Sequence, residues 1–224
     1  MHQTNLLKRY REVKVQGELL CLLPECALFW PEQNLLAIAD AHFGKSQTFH
    51  KSGIGIPDKS GDDDLDRLSA MLQNTGATRC IFLGDLFHSE FNSFWNEFRN
   101  RLNHHSSVEF HLIRGNHDIL SPEYYENADL TVHDDSYIVG PFRFVHNIDR
   151  HRTNAPPGYV IGGHVHPAVR MKGKGRQSAT FRCFLFGTTH ALLPAFGSFT
   201  GNAQIAPSED DQVYIVSEDR VLPV

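Results

Sequence analysis

Cysteine is scarce in this sequence. The four cysteines, Cys21, Cys26, Cys80 and Cys183, form no C-x-x-C pair, and no histidine lies near Cys21 and Cys26. This argues against a zinc ribbon and against a disulfide framework; the thiols read as reduced and mostly buried. Long apolar runs are also missing. None approaches the roughly 18 residues of a membrane-spanning helix, and the N-terminus shows no signal-peptide core, so the expectation is a cytoplasmic chain with no membrane contact. Positive charge is not in excess either. Lys and Arg number 21 against 26 Asp and Glu, a net charge of −5 with histidine neutral. A nucleic acid would therefore have to meet a local basic patch. No repeat or low-complexity segment interrupts the chain.

What is present is an ordinary globular mixture, 41% hydrophobic and 21% charged over 224 residues. It is enough for a sizeable core in one domain, residues 1–224. The count of 14 histidines is high. Along the chain, apolar runs over 19–23, 27–30 and 35–39 are separated by turn signals at Pro24-Glu25 and Pro31-Glu32-Gln33-Asn34, and predict strands. Residues 44–61 predict a long loop. The acidic run Asp62-Asp63-Asp64-Leu65-Asp66 opens a helix, where carboxylates suit capping and the macrodipole, and Gly76 ends it. Strand 80–83, helix 91–102 with the stripe Phe94, Trp95, Phe98 and Leu102, strand 108–113 and a short helix after Ser121-Pro122 follow. The aromatic stripe predicts core packing. Beyond Leu130 the pattern turns to strands, at 137–139, 142–145, 159–161, 180–186 and 213–216. Strand–helix alternation followed by strands predicts two packed sheets with helices outside.

Five polar clusters each follow one of these apolar runs: Asp40/His42, Asp85/His88, Asn116/His117/Asp118, His146, and His164/His166. Residues i and i+2 of an extended segment point to one side, so His164 and His166 form a pair. In layered α/β folds ligand sites gather at the carboxyl ends of strands, so five such ends would converge their polar groups. Carboxylate oxygens and imidazole nitrogens without thiolate suit two borderline divalent ions such as Mn, Fe or Zn, and a pair of ions requires a bridging carboxylate.

In order, the motifs are Asp40-Ala41-His42, Gly84-Asp85-Leu86-Phe87-His88, Gly115-Asn116-His117-Asp118, His146 and Gly163-His164-Val165-His166. This ordered set resembles the calcineurin-like metallophosphoesterase superfamily. The resemblance implies a four-layer α/β/β/α sandwich with two mixed sheets, flanking helices and a dinuclear site at the strand ends. It implies Asp40, His42 and His166 as ligands of one metal and Asn116, His146 and His164 of the other, with Asp85 as the bridge. His117 is implied to contact the phosphate and protonate the leaving oxygen. The lone His146 has His133 and His151 as alternatives. Where many members have G-D-x-x-D, this chain has His88. That form resembles the nuclease branch, with the SbcD-type DNA-repair exonucleases, and leaves two readings of His88: a cationic donor to phosphate, or a hydrogen-bond partner of a ligand.

Two more stretches narrow the resemblance, residues 38–45 followed by Phe49 and Gly53-Ile54-Gly55-Ile56-Pro57, and Leu193-Pro194-Ala195-Phe196-Gly197-Ser198-Phe199-Thr200-Gly201. Both are similar to the ligase-associated DNA damage response endonucleases (PdeM). The implied activity is a two-metal-dependent phosphodiesterase, with Mn2+ the first ion to try, that cleaves DNA by attack of a metal-bridging hydroxide. The implied companions are a helicase, a ligase and an exonuclease of DNA repair. Hydrolysis of small phosphoesters such as nucleotides or cyclic nucleotides is the alternative, and a non-catalytic scaffold the remote one. The basic stretch Arg170-Met171-Lys172-Gly173-Lys174-Gly175-Arg176 is open to two readings, a backbone-binding patch or a solvated hairpin tip. Lys45 and Arg114, beside metal motifs, could each contact phosphate or form a structural ion pair. Leu192–Phe199 reads as core.

Overall fold

The computed structural model describes residues 10–45, 60–87, 94–151, 158–173, 175 and 177–224. Seven strands build the first sheet in chain order: β1 (Arg11–Val15), β2 (Glu18–Leu23), β3 (Ala27–Trp30), β4 (Leu35–Ile38), β5 (Arg79–Phe82), β6 (Glu109–Ile113) and β7 (Leu130–His133). The first four form an antiparallel meander, and β4 to β7 run parallel. The second sheet begins with β8 (Ser136–Val139), β9 (Phe142–Val145), β10 (Tyr159–Gly162), β11 (Pro167–Lys172) and β12 (Ser178–Phe186). Then come β13 (His190–Leu192), β14 (Ala203–Gln204), β15 (Gln212–Ser217) and β16 (Arg220–Pro223). Its order is β14-β11-β12-β13-β10-β9-β8, with β15 and β16 branching from β12. Within it β9, β10 and β13 are parallel neighbours.

Side-chain alternation explains the layers. Along β2, Leu20 and Leu22 face the second sheet and share a cluster with Trp30 of β3 and with Phe142, Phe144 and Phe184 of that sheet, while Cys21 and Leu23 face the helical side. On that side pack α1 (Ser60–Thr75) and α2 (Phe94–Asn103), through Leu65, Leu68, Leu72, Phe94, Trp95 and Phe98. β4 is buried at all four positions because both faces of its sheet are covered. Gly76, at φ 67°, ends α1 in the left-handed conformation that glycine adopts cheaply. A third short helix, α3 (Pro122–Glu126), starts at its proline. On the outer face of the second sheet, Val145, Val160, Val169, Cys183 and Leu185 form a smaller apolar cluster with Val165, Phe181 and Ile205. The two-sheet sandwich expected from the sequence is the observed architecture.

All four cysteines are buried and free. Leu193, Ala195 and Phe196 are at most 1% exposed, so this stretch is core, as its apolarity indicated. Arg170 and Lys172 lie on β11 in the hairpin with β12, and Arg170 donates to Ser178 across it at 2.7 Å and 3.1 Å. Lys174 and Arg176 fall outside the described residues, as do Phe49 and Gly53 to Pro57. Among the described residues no helix is long and apolar enough to cross a membrane.

What positions the site is a shared direction. β4, β5 and β6 are parallel in one sheet, and β9 and β10 in the other. Each of these five strands is followed by one of the polar clusters.

Candidate metal centre

The loops that follow β4 and β5, and those that follow β9 and β10, are joined in pairs by backbone hydrogen bonds. Asp40 N–H donates to Gly84 O at 3.3 Å and His42 N–H to Asp85 O at 2.9 Å. Gly163 N–H donates to His146 O at 3.0 Å. The crossing leaves no room for side chains at two glycines. A Cβ on Gly84 would stand 2.3 Å from His146 Nδ1, and one on Gly163 would stand 2.6 Å from Asp40 Oδ2. The close approach is why the motifs around Asp85 and His164 carry glycine beside their ligand candidates.

Two clusters of carboxylate and imidazole result. Asp40, His42 and His166 bring one ligand atom each within 4.8 Å of one another, and so do Asp85, His146 and His164. The motif resemblance implies the same Asp40, His42 and His166 set, but it sets Asn116 beside His146 and His164 and shares Asp85 between the two. Asp85 stands between the two clusters. Its Oδ2 is 3.8 Å from His42 Nε2 in the first and its Oδ1 is 3.6 Å from His146 Nε2 in the second. The rings of His146 and His164 are 4.8 Å apart and those of His42 and His166 5.6 Å. Asn116 and His117 are exposed on the loop after β6. The His117 ring stands edge-on to that of His42, at 5.5 Å.

The carboxylates are aimed by backbone. Asp85 Oδ1 accepts His117 N–H at 2.9 Å, and Asp40 Oδ2 accepts His164 N–H at 2.8 Å. The imidazoles are aimed by carbonyls. His146 Nδ1 is 2.8 Å from Leu83 O and His166 Nδ1 is 3.1 Å from Gly201 O. A carbonyl only accepts, so both Nδ1 atoms carry hydrogen. In the neutral rings Nε2 then presents a lone pair to the cluster.

That arrangement is unfavourable without a cation. His166 Nε2 faces Asp40 Oδ1 at 3.5 Å. Asp40 Oδ1 is fully buried and has no hydrogen-bond partner of normal geometry. A buried carboxylate oxygen opposite an imidazole lone pair is stabilised by a positive ion between them. Donors of oxygen and nitrogen, without sulfur, fit borderline divalent metals. The residues therefore fit two ions.

Protonation tendencies agree. Burial, followed by the neighbouring His146, pushes the pKa of His164 down and favours the neutral, ligating form. Burial also works against the charged form of His166, but the Asp40 carboxylate outweighs it and raises its pKa. Without a metal, His166 thus draws a proton to the place a metal would take. Asp118 is pushed above the usual carboxylate range by burial, against the backbone N–H groups that stabilise its anion.

The backbone is strained here. Asp40, His42, Asp85, His164 and His166 all have positive φ, between 45° and 68°. For a non-glycine residue this costs roughly 1 kcal/mol or more each, and such strain collects at functional sites.

Several neighbours of the motifs resolve into structural roles. Asp118 accepts Leu86 N–H at 2.9 Å and Gly115 N–H at 2.8 Å, pinning the loop after β5 to the loop after β6. The G-N-H-D motif contained this residue without indicating its task. Arg114 is committed to Asp134 at 3.2 Å and to the Asp118 carbonyl at 3.2 Å. Its ion-pair reading is the one observed. His133 stacks on His111 and Tyr137, with ring centroids 5.3 Å and 4.5 Å away. His146, for which His133 was an alternative, lies in the second cluster. His88 lies outside the described residues, as does the side chain of His151.

A sandwich of two mixed sheets with paired carboxylate–imidazole clusters at the ends of its parallel strands defines a class of metal-dependent phosphoester-hydrolysing enzymes. The model of the calcineurin-like phosphoesterase family matches residues 34–155, and the chain belongs to that family. Among solved structures, a nuclease of Pseudomonas putida, MPE, is similar over 96% of this chain and 100% of its own, at 27% identity and a TM-score of 0.78. A phosphoesterase of E. coli, Yfce, aligns at 15% identity over 83% of this chain and 88% of its own, with a TM-score of 0.42. A protein of unknown function from Aquifex aeolicus aligns at 17% identity over 63% and 82%, with a TM-score of 0.43. A comparison with curated proteins finds no match.

Proposed function

We propose that the protein is a two-metal phosphodiesterase that cleaves DNA as an endonuclease in the setting of DNA repair. The observation that carries the two-metal part is the division of the Asp85 carboxylate, one oxygen toward each cluster. The likeness to a nuclease over its full length supports nucleic acid as the substrate.

Two bound divalent ions, Mn2+ first among them, would supply Lewis acidity and a water of lowered pKa. Asp40, His42 and His166 would hold one ion, Asn116, His146 and His164 the other, and Asp85 both. His117 is exposed at the rim, beside His42. There its imidazolium would donate a proton to the oxygen that leaves phosphorus. Lys45, half-buried three residues beyond His42 and lowered in pKa by that burial, is proposed to meet a substrate phosphate. His88, six residues before α2's first residue on the chain, is proposed as a second donor to the backbone of the nucleic acid.

The test is cleavage by protein stripped with EDTA and reloaded with Mn2+. Circular single-stranded, circular double-stranded and linear DNA are assayed beside a panel of nucleotides and cyclic nucleotides. The expected result is Mn2+-dependent opening of at least one circular DNA and none by the stripped protein. Turnover of nucleotides with all DNA left intact would favour a small-phosphoester hydrolase instead.

A further inference from the structure

The candidate ligand His166 is held from behind by a segment without regular structure. Its Nδ1 lies 3.1 Å from Gly201 O, and its own carbonyl accepts Ala203 N–H at 3.0 Å. The same segment, residues 195–201, also supports Asp40. Phe196 N–H donates to Ala39 O at 2.8 Å and Gly197 N–H to Asp40 O at 3.2 Å. A Cβ on Gly197 would fall 2.3 Å from Ala41 O, so the two loops are in direct backbone contact. The segment thus touches two of the three residues of the first cluster.

Side chains supply much of the hold on this segment. Arg182, on β12, directs its guanidinium fork at the segment's carbonyls. It donates to Ala195 O at 2.9 Å, to Gly197 O at 2.9 Å and to Thr200 Oγ1 at 3.1 Å. From α1, the buried Asp64 accepts Ser198 N–H at 3.0 Å and Ser198 Oγ–H at 2.6 Å. A planar guanidinium offers five N–H donors in a fixed fork to converging carbonyls, against three on an ammonium and none on an apolar side chain. The second cluster is linked to this segment less directly: His146 is oriented by Leu83 O, and His164, which follows β10, reaches it through its N–H bond to Asp40 Oδ2.

We propose that Arg182 is a positioning residue for the ion held by Asp40, His42 and His166. It fixes the 195–201 segment, whose Gly201 carbonyl sets the tautomer and ring direction of His166, and outer partners of this kind tune metal affinity by about 10- to 100-fold. The inference rests on the two-metal reading above and adds an asymmetry to it, since one ion depends on Arg182 and the other does not.

The test is Mn2+ titration of the whole metal-stripped protein by calorimetry, with electron paramagnetic resonance to separate a coupled ion pair from a single ion. The parent is expected to bind two ions and show the coupled spectrum. Arg182→Met is expected to keep one ion at parental affinity and weaken the other about 10-fold or more, with the spectrum moving toward a single ion. Arg182→Lys should fall between, because its ammonium reaches fewer carbonyls. Ser198→Ala, which removes the hydroxyl's bonds with Asp64 and Arg67 but keeps the Ser198 N–H bond to Asp64, should weaken the same ion by less, and it keeps the test open if Arg182→Met does not fold. Parental affinity at both sites in a folded Arg182→Met, or an equal loss at both, overturns the proposal. A parent that binds no pair of ions overturns the two-metal reading itself.

Discussion

Asp85→Asn is expected to lower Mn2+-dependent phosphodiesterase turnover by about 100-fold or more, the scale lost when a principal electrostatic element of a site is removed. The substitution preserves shape. An amide oxygen can still accept His117 N–H, which now reaches Asp85 Oδ1 at 2.9 Å. It removes the charge shared between the clusters and turns one bridging oxygen into an N–H2 that repels a cation. Stability should move the other way. Asp85 is 4% exposed and Asp40 0% exposed, and both lie beside the His146 ring, at 3.6 Å and 3.8 Å. Burying two carboxylates this close is costly without metal. In EDTA, Asp85→Asn should therefore melt no lower than the parent, while Mn2+ should stabilise it far less. A steady-state assay and thermal melts with and without Mn2+ check both parts. Activity within about 10-fold of the parent would remove Asp85 from the site.

His117→Ala is expected to separate chemistry from metal binding. The residue meets the cluster through its backbone, and that N–H survives the substitution. Its ring is exposed and flanks His42 without belonging to either carboxylate–imidazole cluster. Removing a general acid costs roughly 10²- to 10⁴-fold when the leaving oxygen needs a proton, and far less when it does not. Turnover of DNA or a sugar diester should fall by that amount, whereas bis-p-nitrophenyl phosphate, whose phenolate leaves unaided, should be nearly unaffected. Metal content by elemental analysis should stay at the parental value. Loss of metal, or an equal loss on both substrates, would show His117 acting as a ligand or as structural support.

The site was legible in the sequence because each of its parts follows an apolar run. Leu35–Ile38 precedes Asp40, Arg79–Phe82 precedes Asp85 and Phe142–Val145 precedes His146, and the three strands are parallel members of the two sheets. The strands that the pattern did not announce are those made by pairing. β7 pairs with β6 over Leu-Thr-Val-His, and β11 is exposed at Arg170, Met171 and Lys172, so neither shows an apolar signal of its own. The left-handed backbone of Asp40, His42, Asp85, His164 and His166 has no distinct sequence mark, since polar residues of this kind enter that region in ordinary turns too. Asp64 belonged to an acidic run that predicted a helix start, and it does lie in the first turns of α1. Its partner, Ser198, is 134 positions away, and Arg182 meets the same segment from β12. Contacts across such distances follow from how the two sheets stack, which local pattern does not encode.

In the proposed enzyme, five strand ends assemble one dinuclear centre with Asp85 between its ions. Anomalous diffraction from crystals of the protein loaded with Mn2+ tests it most directly. Two peaks are expected about 3.5–4 Å apart, with Asp40, His42 and His166 around one, Asn116, His146 and His164 around the other, and the Asp85 carboxylate reaching both. A single peak, or two peaks that Asp85 does not bridge, would contradict it.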